Sequence, residues 1–132
     1  MSVVGIGIDL VSVPQFAEQL RQPGTAFAQG NFTAAERRDA ASGSGSETRS
    51  LAVRWAAKEA VLKAWSGSRF GRSPVLKSVP PTDIEVVTDA WGRPAIRLKG
   101  PISEHLSDCT IHLSLTHDGD TAGAVAVIED SK

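Results

Sequence analysis

The chain is poor in cysteine, in net charge and in long apolar runs, and each shortage removes a class of function. Its single cysteine, Cys109, cannot close an internal disulfide, which fits a reducing compartment. Cys109 sits at the edge of a predicted strand with no activating pattern around it, so it reads as a small buried hydrophobe rather than a nucleophile. Lysine and arginine number 14 against 15 acids, a formal net charge of -1. That balance lacks the basic surplus that binding a phosphate backbone needs, and it disfavours nucleic acid as the main partner. The apolar run at residues 3–8 has no basic region before it and is stopped by Asp9. It is too short for a signal peptide or a membrane span, so a soluble, cytoplasmic protein is expected. No Gly-x-x-x-x-Gly-Lys-Ser/Thr loop is present, so any grip on phosphate is not of the Walker type. Clustered Cys and His ligands are absent as well.

What is there suffices for one domain, residues 1–132, with a real core. Residues 3–11 read as a buried strand with Val4, Ile6, Ile8 and Leu10 on one face. The opposite face carries Gly5, Gly7 and Asp9, leaving room for a ligand or another backbone to come close. Ser12 and Pro14 predict a helix start, and Pro23-Gly24 its stop. Thr33 and Glu36 have capping-box spacing and open a short helix. The run 42–46 of alternating Ser and Gly is a flexible loop, either a linker or a flap over a site. Two hairpins are predicted, pairing 84–88 with 95–99 and 110–116 with 121–129, with a short helix at 101–107 between them. Adjacent hairpins with few helical crossovers imply an α+β fold, a largely antiparallel sheet packed around a long central helix.

That long helix spans about 47–66. At 100° steps Leu51, Trp55, Leu62 and Trp65 form one apolar stripe, and Val53, Ala57, Ala60, Val61 and Ala64 a second. A helix apolar on both sides is buried on both, by its own sheet and, as a candidate second cover, by another chain. Arg54 and Lys58 occupy one seam, Glu59 and Lys63 the other, and the seams are where charge can face a cleft. Gly67 is the expected residue just past its end.

Four residues carry candidate chemistry: Asp9, Glu59, Lys63 and His117. Taken singly each has a plain structural explanation. Asp9 can cap the following turn, Glu59 and Lys63 have ordinary ion-pair spacing, and His117 sits in a hairpin turn. Together they fit a pyrophosphate site, because Mg²⁺ is commonly held by one or two carboxylates plus substrate phosphates, with a cation one turn away.

Three motifs then carry a resemblance over nearly the whole chain. Gly7-Ile8-Asp9, the run Arg54-Trp55-Ala56-Ala57-Lys58-Glu59-Ala60-Val61-Leu62-Lys63-Ala64 and Ser114-Leu115-Thr116-His117 occur in order. They resemble the Gly-Ile/Leu-Asp, Arg-Phe-Ala-Ala-Lys-Glu-Ala-x-x-Lys-Ala and Ser-Ile/Leu-Thr-His motifs of the bacterial holo-[acyl-carrier-protein] synthases, the small trimeric class of 4′-phosphopantetheinyl transferases. The resemblance implies transfer of phosphopantetheine from coenzyme A to a serine of apo-acyl carrier protein, in support of fatty acid biosynthesis. It implies Asp9 and Glu59 as Mg²⁺ ligands and Lys63 as a contact to the coenzyme A phosphates. Arg54, Thr116 and His117 match positions lining the coenzyme A pocket, which lies between subunits of a homotrimer. The serine's proton would go to Glu59 or to a metal-bound water.

Two departures stand out. Trp55 replaces the usual phenylalanine, a repacking of one large ring by another. The first helix offers only Arg21 where related enzymes place several basic residues to meet an acidic carrier helix, so Arg37, Arg38, Arg69 or Arg72 are candidates to share that role. The residues alone leave two rivals: a metal-dependent nucleotide pyrophosphate hydrolase, with water in place of serine, and a non-catalytic oligomeric binding module.

Overall fold

The structure is a computed structural model describing residues 1–132 except Thr25 and Ser44, so the Ser44 portion of the predicted Ser/Gly loop lies outside the described residues. The elements run β1 (Val3–Ser12), α1 (Val13–Arg21), α2 (Phe27–Asn31), α3 (Ala34–Ser42), α4 (Glu47–Gly67), a 3₁₀ turn (Pro81–Asp83), β2 (Ile84–Thr88), β3 (Pro94–Leu98), α5 (Gly100–His105), β4 (Cys109–Asp118) and β5 (Thr121–Asp130). β5 lies between β1 and β4 in a three-stranded antiparallel sheet, and β2 and β3 form a separate hairpin. The expected α+β arrangement is present, with α4 as its axis. Its strand pairing is divided between two sheets.

Helix α4 owes its central place to small residues. Ala52, Ala56, Ala57, Ala60, Val61 and Ala64 are fully buried, and the core around the last five adds Ile84, Val86, Ile102, Ala126 and Ile128. A second cluster around Phe16, Phe32, Leu51 and Ala122 fixes α1 and α2, with Phe16, Phe27 and Phe32 meeting edge to face. α2 had no counterpart in the sequence reading, because its five residues, Phe-Ala-Gln-Gly-Asn, are too few to show a helical period.

Helix starts follow their predicted caps. Ser12 accepts from the Gln15 amide with Pro14 in the first turn, and Thr33 and Glu36 form the reciprocal capping box. At the far end of α4, Gly67 is not a left-handed cap. The helix runs through it, and the Ser68 amide still bonds the Ala64 carbonyl.

Two expectations change. The seam of Arg54 and Lys58 faces the interior, not a cleft: their exposures are 7% and 1%. Lys58 Nζ donates to Glu36 Oε1 at 2.8 Å and to the Pro81 and Ile84 carbonyls at 2.8 and 2.7 Å. Glu36 in turn accepts from the Thr33 and Val86 amides, so one buried pair ties α3, α4 and β2 together. A lysine on a helix seam gave no sign of this partner, which lies 22 residues earlier. The second change concerns β1, which is buried on one face only. Gly5 and Gly7 are covered, while Ile6, Ile8 and Leu10 are 68%, 63% and 68% exposed. Among the described residues no layer covers that apolar face.

Candidate active site

The site begins with the two glycines. β1 crosses α4 so closely that a Cβ on Gly5 would lie 2.0 Å from the Ala64 carbonyl oxygen, and one on Gly7 1.9 Å from that of Ala60. The inward face of β1 therefore receives the backbone of α4, not a ligand. The next inward residue is Asp9, and it lines an open cleft with Glu59, Trp55, Phe16, Gln15 and Gln19. A strand end and a helix seam distant in sequence thus deliver two carboxylates to one cavity.

Lys63 completes the group. Its Nζ donates to Asp9 Oδ1 at 3.0 Å and to the Ile8 carbonyl at 3.1 Å. The ion pair thus joins Lys63 to Asp9 rather than to Glu59 at helical spacing. The lysine side chain is 56% exposed, so the pair contributes only about 0–1 kcal/mol to stability and leaves the ammonium able to turn to another anion. Partial burial raises the proton affinity of the Glu59 carboxyl, the Asp9 charge raises it further, and Lys63 opposes both.

Two acids that repel in one cleft are relieved by a cation, and an all-oxygen pair suits a hard one. Among the described residues no group of three or more His, Cys, Asp or Glu side chains is placed to hold a metal. A pair leaves most coordination positions to water and substrate oxygens, which is how Mg²⁺ is ordinarily held. The donor set therefore fits Mg²⁺ in company with a phosphate ligand.

The other candidates lie apart from the acids within one chain. His117 faces a cavity lined by Ser46, Arg49, Ser50 and Val53. Thr116 faces the opposite side of the sheet, in an apolar groove with Ile8, Leu10 and Val125. Arg54 is buried, its guanidinium donating to the Ser50 carbonyl and hydroxyl, with Nε unpartnered. Burial makes the Arg54 cation easier to discharge, and Asp39 and Glu36 counter this.

The model of the 4′-phosphopantetheinyl transferase superfamily matches residues 5–126. The holo-[acyl-carrier-protein] synthase of Mycobacterium ulcerans is 66% identical over 131 residues, 99% of this chain and 100% of that protein. The chain belongs to the holo-[acyl-carrier-protein] synthase family. The acyl carrier protein synthase of Mycobacterium tuberculosis superposes with a TM-score of 0.80 at 58% identity, covering 97% of this chain and 98% of that one. A synthase from Chronobacterium ammoniagenes, solved as a complex with CoA, gives 0.88 at 44% identity, covering 96% and 97%. Membership in this transferase family decides against both rivals, the pyrophosphate hydrolase and the non-catalytic module.

Sequence reasoning overlooked a second cleft, toward the C-terminal end of α4. It runs along the end of α4, with Leu62, Trp65, Val75 and Leu76 as apolar walls and Arg69, Arg72 and Lys77 as cations. The signal was available as three basic residues within a Gly/Ser/Pro-rich stretch, but nothing in the spacing showed that the stretch folds back on α4. Cys109 is half-buried, and burial together with Asp130 and Asp108 raises its thiol above the ordinary range, so its bland reading fits.

Proposed function

We propose that Asp9, Glu59 and Lys63 form the centre at which this chain carries out its family's reaction. That reaction moves 4′-phosphopantetheine from coenzyme A to a serine of apo-acyl carrier protein and releases adenosine 3′,5′-bisphosphate. The observation that carries the assignment is the cleft shared by Asp9 and Glu59, with Lys63 bonded to Asp9 at 3.0 Å.

In this reading Asp9 and Glu59 hold Mg²⁺, which when bound offsets charge on the donor's pyrophosphate. Lys63 swings from Asp9 to the diphosphate and steadies the leaving adenosine bisphosphate. The serine oxygen bonds to the phosphorus bearing pantetheine as the bond to the bridging oxygen breaks. Glu59, which shares the cleft with Asp9, is one candidate to take the serine's proton, and a water held at the centre is the other. The cleft of Leu62, Trp65, Arg69 and Lys77 at the end of α4 suits a long donor with apolar and phosphorylated parts.

The uncovered face of Ile6, Ile8 and Leu10 supports a homotrimer in which neighbouring copies cover β1. Such an assembly would place the coenzyme A pocket between copies, with Arg54 from α4 and Thr116 and His117 from β4 contributing to it. The chain works as one domain, and no described helix is long and apolar enough to cross a membrane. A cytoplasmic role in fatty acid biosynthesis fits the reading. Intact-mass measurement of an apo-carrier protein after incubation with coenzyme A and Mg²⁺ tests it. A gain of one phosphopantetheine arm is expected from the wild type and not from Asp9→Asn. Equal gain from both would remove Asp9 from the centre.

A further inference from the structure

Stability alone does not account for Lys58. Desolvating a cation is unfavourable, and a well-packed apolar residue commonly replaces a buried ion pair with no loss of stability. Lys58 is nonetheless 1% exposed, one residue before Glu59. An ammonium has three protons, and here they go to three different elements. Nζ donates to Glu36 Oε1 on α3 at 2.8 Å, to the Pro81 carbonyl of the 3₁₀ turn at 2.8 Å and to the Ile84 carbonyl of β2 at 2.7 Å. The same nitrogen lies 5.3 Å from the centre of the Phe32 ring.

These contacts lead to cleft walls. Ala40, one helical turn beyond Glu36 on α3, lines the cavity that His117 faces. Val79, two residues before Pro81, ends the stretch that walls the cleft at the end of α4 with Val75, Leu76 and Lys77. Residues 68–80 form neither helix nor strand. Helix α4 therefore fixes the near end of that wall, and the bond from Lys58 to Pro81 fixes the far end. Phe32 meets Trp55 edge to face at 6.2 Å, and Trp55 lines the acid cleft. The acids themselves are placed otherwise, through the close contact of Gly5 and Gly7 with α4.

We infer that Lys58 is a positioning residue for the donor: by tying α3 and the Pro81 turn to α4, it sets the clefts that receive coenzyme A. This rests on the transferase reading above. Loss of its three bonds frees two cleft walls from α4, so donor binding weakens while the reacting groups stay in register.

The test separates KM for coenzyme A from kcat at saturating carrier protein and Mg²⁺, with Tm measured for every variant. In Glu36→Gln/Lys58→Met no charge is stranded, yet methionine donates nothing to Pro81 or Ile84. KM should rise about tenfold, with kcat within about threefold of the wild type, the signature of lost binding rather than lost chemistry. Glu36→Gln/Lys58→Gln restores an amide donor, and its KM should return part of the way. Ile128→Ala cuts the core at a fully buried residue that lines none of the three clefts. It should lower Tm and leave KM unaltered. A wild-type KM in the methionine variant overturns the inference, and so does a KM that rises equally in Ile128→Ala. A collapse of kcat with KM unchanged overturns it too. If the methionine variant does not fold, the glutamine variant decides: a KM above the wild type's supports the inference, and an equal KM overturns it. In all these cases transfer by the wild type leaves the transferase reading standing. A wild type that transfers nothing overturns that reading and this inference together.

Discussion

Replacing Gly7 with alanine tests whether close backbone contact between β1 and α4 is what places Asp9. The added Cβ would sit 1.9 Å from the Ala60 oxygen and 2.7 Å from the Ala64 nitrogen. A carbon and a carbonyl oxygen are comfortable at about 3.3 Å or more, so strand and helix must separate by roughly 1.4 Å. Both obstructing atoms are backbone, so no rotamer change relieves them. Forcing extra volume into a packed contact costs about 1–3 kcal/mol, or a fall in Tm of roughly 3–15 °C for a chain this size. The consequence for activity is larger, because Asp9 lies two residues along the same face. A displacement of about 1 Å in a catalytic group can cost on the order of a hundredfold in rate. Thermal melting and the initial rate of holo-carrier formation measure the two effects separately. Gly30→Ala is the control: a Cβ there meets nothing within 4 Å. A Gly7→Ala variant with wild-type Tm and wild-type rate would refute the reasoning.

Five further outcomes are expected. Lys58→Met strands the Glu36 carboxylate in the interior, where both partners are at most 1% exposed, and should cost about 3–5 kcal/mol in a denaturant titration. Glu36→Gln/Lys58→Met should recover part of that loss. Glu59 binds its proton more tightly folded than unfolded, so its ionised form costs stability above its raised folded pKa, and the cost disappears as pH falls below the unfolded value. Glu59→Gln in metal-free protein at neutral pH should therefore raise Tm slightly, by the equivalent of a few tenths of a kcal/mol after solvent screening, while abolishing transfer. Ile8→Asp on the uncovered face of β1 should reduce the mass measured by light scattering to that of a single chain, with loss of coenzyme A binding. Lys63→Ala should lower turnover more than tenfold with little change in Tm, since its exposed ion pair contributes little to folding.

Much of this molecule was legible in its residues, for identifiable reasons. Ser12, Pro14, Thr33 and Glu36 act locally, so the starts of α1 and α3 could be read from a few neighbours. The turns at Gly92 and Gly119, both left-handed, announced the two hairpins. The convergence of Asp9 and Glu59 was legible only as a possibility, and Gly5 and Gly7 turned out to be what realises it, by letting β1 lie directly on α4. What stayed hidden was non-local. Lys58 looked like a seam charge until Glu36 was seen across the core, and Lys63 looked like the partner of Glu59 until Asp9 proved nearer to hand. The exposed side of β1 was misread as buried, because its alternating pattern marks an apolar face without saying what covers it.

Cation binding by the acid pair is the most direct measurement. Titration of Mn²⁺, a paramagnetic stand-in for Mg²⁺, followed by electron paramagnetic resonance with coenzyme A present, should show binding by the wild type. That binding should be lost in both Asp9→Asn and Glu59→Gln. Undiminished Mn²⁺ binding in the two variants would contradict the account.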